Sequence, residues 1–151
     1  MIRTSLYLDT SVISIYFDAR DPTLQEQTRE FWAALPRFEV YVSTLVLDEV
    51  LQTRDGQRRR QMLELLEPLQ VFEVTAAMQR LALEYQRQGA FTAKHGRDGL
   101  HAAAASVMGV DFLLSWNFRH MVRVKTRRLV NLINLQHGYR TLEIVAPPEL
   151  L

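Results

Sequence analysis

The chain has 151 residues, 48% hydrophobic and 23% charged, the balance of one globular domain over 1–151; it has no cysteine, which excludes disulfides, thiolate nucleophiles and thiolate-bound zinc. No apolar run reaches the roughly 18 to 20 residues that cross a bilayer, and the N-terminus lacks a signal-peptide pattern, so the expectation is a soluble, cytoplasmic protein with no membrane contact. The net charge of +1 hides an uneven distribution: residues 1–111 hold twelve Lys and Arg against fifteen Asp and Glu, whereas 112–142 hold six basic residues and no acid, a candidate polyanion-facing surface or a solvated helix face.

Ser5 to Leu8 is a short apolar run, and Asp9-Thr10-Ser11 then caps a helix carrying Val12, Ile13, Ile15 and Tyr16. Asp21-Pro22 reads as an N-cap with proline at the first helical position; the stripe Leu24, Thr28, Phe31, Trp32 and Leu35 follows, closed by Pro36. Phe38 to Ser43 has the aromatic and β-branched content of a second strand, and Thr44 returns to helical spacing through Leu47, Val50 and Leu51. Met62, Leu65, Leu66 and Leu69 mark another helix, and Val71 to Val74 a third strand. Thr75 caps a helix striped by Met78, Leu81, Ala82 and Tyr85, stopped at Gly89. Asp98 begins a helix ending at Gly109; Phe112 to Ser115 is a fourth strand; Val124 to His137 is helical; Leu142 to Val145 is a fifth strand.

Strands separated by helices predict parallel pairing through right-handed crossovers, hence an α/β sandwich with helices on both faces. Ligands of such sheets bind at the carboxyl ends of the strands, where strand order reverses. Asp9 follows the first strand, Glu49 lies early in the helix after the second, and Asp98 opens the helix leading into the fourth. If the first and fourth strands are neighbours, the three carboxylates can converge. Converging carboxylates repel unless protons, basic groups or a hard cation lie between them, and oxygen ligands are what Mg²⁺ and Mn²⁺ prefer. Residue by residue, the spacing favours Asp9 and Asp98 as helix caps and Glu49 as an exposed helix position.

The segments Leu8-Asp9-Thr10-Ser11-Val12, Ser43-Thr44-Leu45-Val46-Leu47-Asp48-Glu49-Val50, Arg97-Asp98-Gly99-Leu100-His101 and Phe112-Leu113-Leu114-Ser115-Trp116-Asn117 resemble, in order and spacing, the four motif blocks of PIN-domain nucleases. The resemblance implies a three-layer α/β/α sandwich around a parallel five-stranded sheet. It also implies a VapC-like toxin ribonuclease, with Asp9, Glu49 and Asp98 binding one or two Mg²⁺ or Mn²⁺ ions, RNA as substrate, a cognate antitoxin as partner, and a homodimer. The family pattern selects Glu49 over the adjacent Asp48. At Asn117 many members place an aspartate; asparagine keeps an acceptor oxygen but loses a charge, so a second metal position should be weaker.

Around this set, Thr10 or Ser11 would offer a hydroxyl or amide beside the metal, or simply cap the helix, and Ser115 ends the fourth strand in the same motif. Lys94 and Arg97 precede Asp98 and are placed to reach a substrate phosphate. Arg119, Arg123, Lys125, Arg127 and Arg128 form one basic cluster, and Arg54, Arg58, Arg59 and Arg60 another, for contacts to an RNA backbone or to solvent. His101, one turn after Asp98, reads as a packing histidine more readily than as a phosphate contact; His95, His120 and His137 show no ligand spacing and read as surface or RNA-facing. Two other readings compete. One is a catalytically weak PIN domain that only binds RNA, which the three retained acids oppose. The other is a receiver-like phosphoacceptor, which would need paired acids after the first strand. No dinucleotide or P-loop glycine pattern is present.

Overall fold

The computed structural model describes residues 2–151. Five strands, β1 (Ser5–Leu8), β2 (Glu39–Ser43), β3 (Gln70–Phe72), β4 (Phe112–Leu114) and β5 (Glu143–Val145), form one sheet in the order β3-β2-β1-β4-β5. Every neighbouring pair is parallel. The connecting helices are α1 (Thr10–Ser14), α2 (Pro22–Ala33), α3 (Thr44–Leu51), α4 (Gly56–Leu66), α5 (Ala76–Arg87), α6 (Gly96–Met108) and α7 (Val124–Gln136).

Successive strand residues point to opposite faces, so the complete burial of Leu6, Tyr7 and Leu8 means that helices cover both faces of β1. This is the predicted α/β/α arrangement. The supposed neighbours are neighbours: β1 pairs with β4, with Leu6, Tyr7 and Leu8 opposite Phe112, Leu113 and Leu114. The chain moves outward from β1 through β2 to β3, then crosses to β4 and β5 on the other side. Strand order thus reverses at β1 and β4, which places a crevice beyond Leu8 and Leu114.

Local chemistry accounts for the element ends. Asp21 accepts the Leu24 amide at 3.1 Å with Pro22 at the first position of α2, and Thr75 accepts the Met78 amide at 3.3 Å at the start of α5. Gly109 ends α6 at φ +71°, where a side chain would be strained. The run Ala102 to Ala105 is completely buried, and its small side chains let α6 pack closely along α5.

Several boundaries differ from expectation. Helix α6 begins at Gly96, so Asp98 lies within its first turn and caps nothing. Helix α4 ends at Leu66 before Pro68, and Leu69 is buried outside it. Strand β3 is shifted toward Gln70, with Val74 beyond it donating its amide to Thr44 Oγ1 at 3.3 Å. Between β4 and α7 the chain makes a turn closed by the Met121 and Val122 amides on the Asn117 carbonyl, at 3.1 and 2.8 Å. Among the described residues no helix is long and apolar enough to cross a membrane.

Candidate active site

Asp9 sits at the crevice as the N-cap of α1, and it is 4% exposed. Oδ1 accepts the Ser11 amide at 3.0 Å and the Ser11 hydroxyl, while Oδ2 accepts the Ser115 hydroxyl. The capping reading and the site reading therefore describe the same carboxylate. Ser11 and Ser115 are fixed in turn by the segment that follows β4: the Trp116 amide donates to Ser11 Oγ and the Asn117 amide to Ser115 Oγ, both at 2.9 Å. Burial raises the Asp9 pKa, with the neighbouring Asp98 charge adding to it, against the lowering effect of His101 and the two serine hydroxyls. Ser115 is itself fully buried, so the structure places it beneath Asp9, as a group that orients the carboxylate.

Glu49 is not the exposed helix residue that local periodicity allows. Its Oε1 accepts the Thr10 hydroxyl at 2.8 Å and lies 2.6 Å from His101 Nε2. The His101 Nδ1 is 2.7 Å from the Tyr7 hydroxyl, which is 2.7 Å from Ser43 Oγ. An ionised carboxylate only accepts, so Nε2 donates to Glu49; in neutral imidazole Nδ1 then accepts from Tyr7, and Tyr7 accepts from Ser43. Burial alone would raise the Glu49 pKa, but the His101 and Thr10 hydrogen bonds and the Arg97 charge outweigh it and hold the carboxyl below its ordinary value. His101 is 3% exposed: it is the packing histidine expected, and it also ties Glu49 to the sheet. Its partner Tyr7 lies on β1, and Ser43, which bonds Tyr7 in turn, lies on β2, both out of reach of any local sequence signal.

Asp98 lies on the same rim. Its Oδ2 accepts the Asn117 side-chain amide at 3.1 Å and is 3.7 Å from His95 Nδ1. Burial raises the Asp98 pKa, opposed by the charges of His101, His95 and His120. The Asn117 orientation is chemically determined, because its Oδ1 accepts the His120 amide at 3.0 Å and so its NH₂ must face Asp98. The acceptor oxygen expected to face a cation is thus occupied in the turn, and Asn117 offers the site a donor.

Asp9 is linked to Asp98 by hydrogen bonds through Ser115 and Asn117, and Glu49 accepts from Thr10, the neighbour of Asp9 in the chain. Buried carboxyls with raised pKa, presented as oxygen donors, suit a hard divalent cation. Their side chains stand apart as placed: among the described residues no three His, Asp or Glu side chains are grouped tightly enough to enclose an ion.

Of the basic residues, Arg97 approaches most closely, with a guanidinium nitrogen 3.8 Å from Glu49 Oε2 and a side chain 57% exposed. Lys94 is exposed in the turn Ala93–His95 that leads into α6. Arg119 and Arg123 are exposed, and Arg123 donates to the Arg119 carbonyl at 3.2 Å. The Arg54 to Arg60 cluster lies around the start of α4, where Arg59 is engaged with the Thr53 carbonyl at 2.7 Å. His95 and His120 stack face to face, with ring centroids 3.6 Å apart. Nothing in their sequence separation signals this pairing.

Solved structures share the fold. A chain of the DNA-bound VapBC complex of Salmonella typhimurium superposes with a TM-score of 0.58 at 16% identity, covering 95% of this chain and 98% of that one. A chain of the promoter-bound VapBC2 complex of Rickettsia felis gives 0.57 at 14% identity, over 93% and 97% of the two chains. The sarcin-ricin-loop-cleaving toxin VapC20 of Mycobacterium tuberculosis gives 0.57 at 19% identity, over 72% and 86%. No curated protein matches the sequence. The PIN domain profile matches residues 6–124, a span that begins within β1, contains all three acids and Asn117, and ends at the start of α7: the chain belongs to the PIN domain family.

Proposed function

We propose that the protein is a divalent-metal-dependent endoribonuclease and the toxin half of a toxin-antitoxin pair, cleaving RNA phosphodiester bonds at Asp9, Glu49 and Asp98. The observation that carries this reading is the placement of three carboxylates from three different elements at the sheet's reversal point, two of them with pKa values raised by burial. Such a site is short of positive charge, and a cation would relieve it.

Asp9, Glu49 and Asp98 would hold Mg²⁺ or Mn²⁺, which when bound supplies the positive charge that stabilises the phosphodiester transition state. The chain's own groups prepare the site. Ser11 and Ser115 orient Asp9, Asn117 orients Asp98, and the Ser43-Tyr7-His101 relay holds Glu49 ionised and fixed. Thr10 donates to the same carboxylate from α1. Lys94, Arg97, Arg119 and Arg123 supply exposed cations around the rim for RNA phosphates.

The VapBC complexes that share the fold support a cognate antitoxin as partner. A homodimer in the cytoplasm completes the proposal. The test is incubation of the purified protein with a mixed-sequence RNA oligonucleotide and Mg²⁺ or Mn²⁺. Cleavage that stops on adding EDTA is expected; intact RNA across a range of oligonucleotides and both metals would overturn the reading.

A further inference from the structure

Beside Asp98 a cleft of about 250 Å³ opens between the segment Gly89 to Thr92, the His95 turn, and the stretch from His120 to Thr126. It is smaller than the roughly 300–1,000 Å³ of a typical small-molecule pocket. No acidic residue lines it, whereas Arg123 and Lys125 do, and neither forms an ion pair among the described residues.

Its inner wall is the stacked pair of His95 and His120, and His95 Nδ1 is 3.7 Å from Asp98 Oδ2, so the cleft adjoins the candidate site. Its lining includes Thr126, 4% exposed, whose hydroxyl is not sealed in the interior, since among the described residues no fully buried side-chain oxygen lacks a hydrogen-bond partner; it opens to the cleft. Helix α7 starts at this edge with Arg123 as an N-cap that makes no side-chain capping bond. A helix start lacking such a cap, a hydroxyl open to the cleft and two cations outside any ion pair converge on one small volume. That is a donor set for an anion.

We infer that this cleft is the subsite for an RNA backbone phosphate and its ribose flanking the scissile position, held by Arg123, Lys125 and Thr126 against the His95-His120 pair. The proposal rests on RNA being the substrate, and it does not require cleavage. A strand anchored here and passing Asp98 enters the acidic crevice from the α7 side, so the cleft fixes the direction in which RNA crosses the site.

The experiment reads binding of a fluorescein-labelled single-stranded RNA tetranucleotide to the full chain in EDTA, so that no cleavage intervenes. Arg123→Ala with Lys125→Ala should weaken binding at least tenfold and lower the salt slope by about 0.7, the value for one phosphate contact on a single strand. Thr126→Val, which keeps the shape and removes the hydroxyl, should weaken it several-fold. Arg3→Ala with Arg37→Ala removes equal charge at the opposite end of the sheet and should leave it unchanged. Wild-type affinity in both cleft variants, or an equal loss in the Arg3 and Arg37 control, overturns the proposal. Inorganic phosphate competing as well as unlabelled tetranucleotide also overturns it, since the ribose would then contribute nothing. If the binding pattern holds but no RNA is cut with Mn²⁺, the nuclease reading fails and the cleft stands; cleavage with an unaffected binding pattern has the opposite meaning.

Discussion

Tyr7→Phe removes one oxygen from a completely buried position and tests how Glu49 is held. That hydroxyl lies 2.7 Å from both Ser43 Oγ and His101 Nδ1, and all three residues are buried. Leaving a buried polar group unpaired costs about 1–3 kcal/mol, and two groups lose their partner here, so the variant should be destabilised by about 2–6 kcal/mol. For a chain of this length, at about 2–4 °C per kcal/mol, the melting temperature falls by at least about 4 °C. His101 would keep its bond to Glu49 but lose the anchor behind it; losing a hydrogen bond that orients a metal ligand costs about 10–100-fold in metal affinity or activity. Thermal unfolding and RNA cleavage should be measured together, the latter well below the melting point. Tyr85→Phe is the control, since its hydroxyl bonds Ser106 and Asn134 and none of the three acids. It should lose stability and keep activity. A Tyr7→Phe protein that melts within 1 °C of wild type, or cuts RNA at the wild-type rate, would refute the relay.

Asp9 has a folded pKa above its unfolded value of about 3.9, so the folded state keeps a proton that the unfolded chain releases; its stabilising effect is complete below that pH and is lost as pH rises through the folded pKa. In EDTA, Asp9→Asn should therefore gain on wild type in melting temperature between pH 4 and pH 8, and a difference that is constant or reversed across this range would show that burial does not govern this carboxyl. Asn117→Asp replaces the amide that donates to Asp98 with a second carboxylate, so it should lower the melting temperature in EDTA and enlarge the rise produced by Mn²⁺; an unchanged Mn²⁺ response would place Asn117 outside the cation's field. Lys94→Ala, Arg97→Ala and Arg119→Ala should each reduce the salt slope of single-stranded RNA binding by about 0.7, and three unchanged slopes would move the RNA path elsewhere.

Local rules reached only part of the acid set: Asp9 ends an apolar run and caps a helix, whereas Glu49 and Asp98, in helices flanking strands, were singled out by the resemblance to the PIN-domain motif blocks. Their meeting place followed from parallel topology, once β1 and β4 were taken as neighbours. What could not be read were side-chain partners distant along the chain. His101 has the spacing of a packing residue, yet its partners Glu49 and Tyr7 are 52 and 94 positions away. Asn117 was expected to turn its oxygen to the site, but the His120 amide claims that oxygen because residues 118–121 close as a turn. The stacking of His95 on His120, which forms a wall of the cleft, joins two loops that no periodicity relates.

The most direct test of the central claim is single-turnover cleavage of RNA at saturating Mn²⁺ by wild type, Asp9→Asn and Asp98→Asn, with folding checked by thermal unfolding. The account predicts that both variants fold and that neither cuts. Full activity in both would contradict the assignment of these carboxylates.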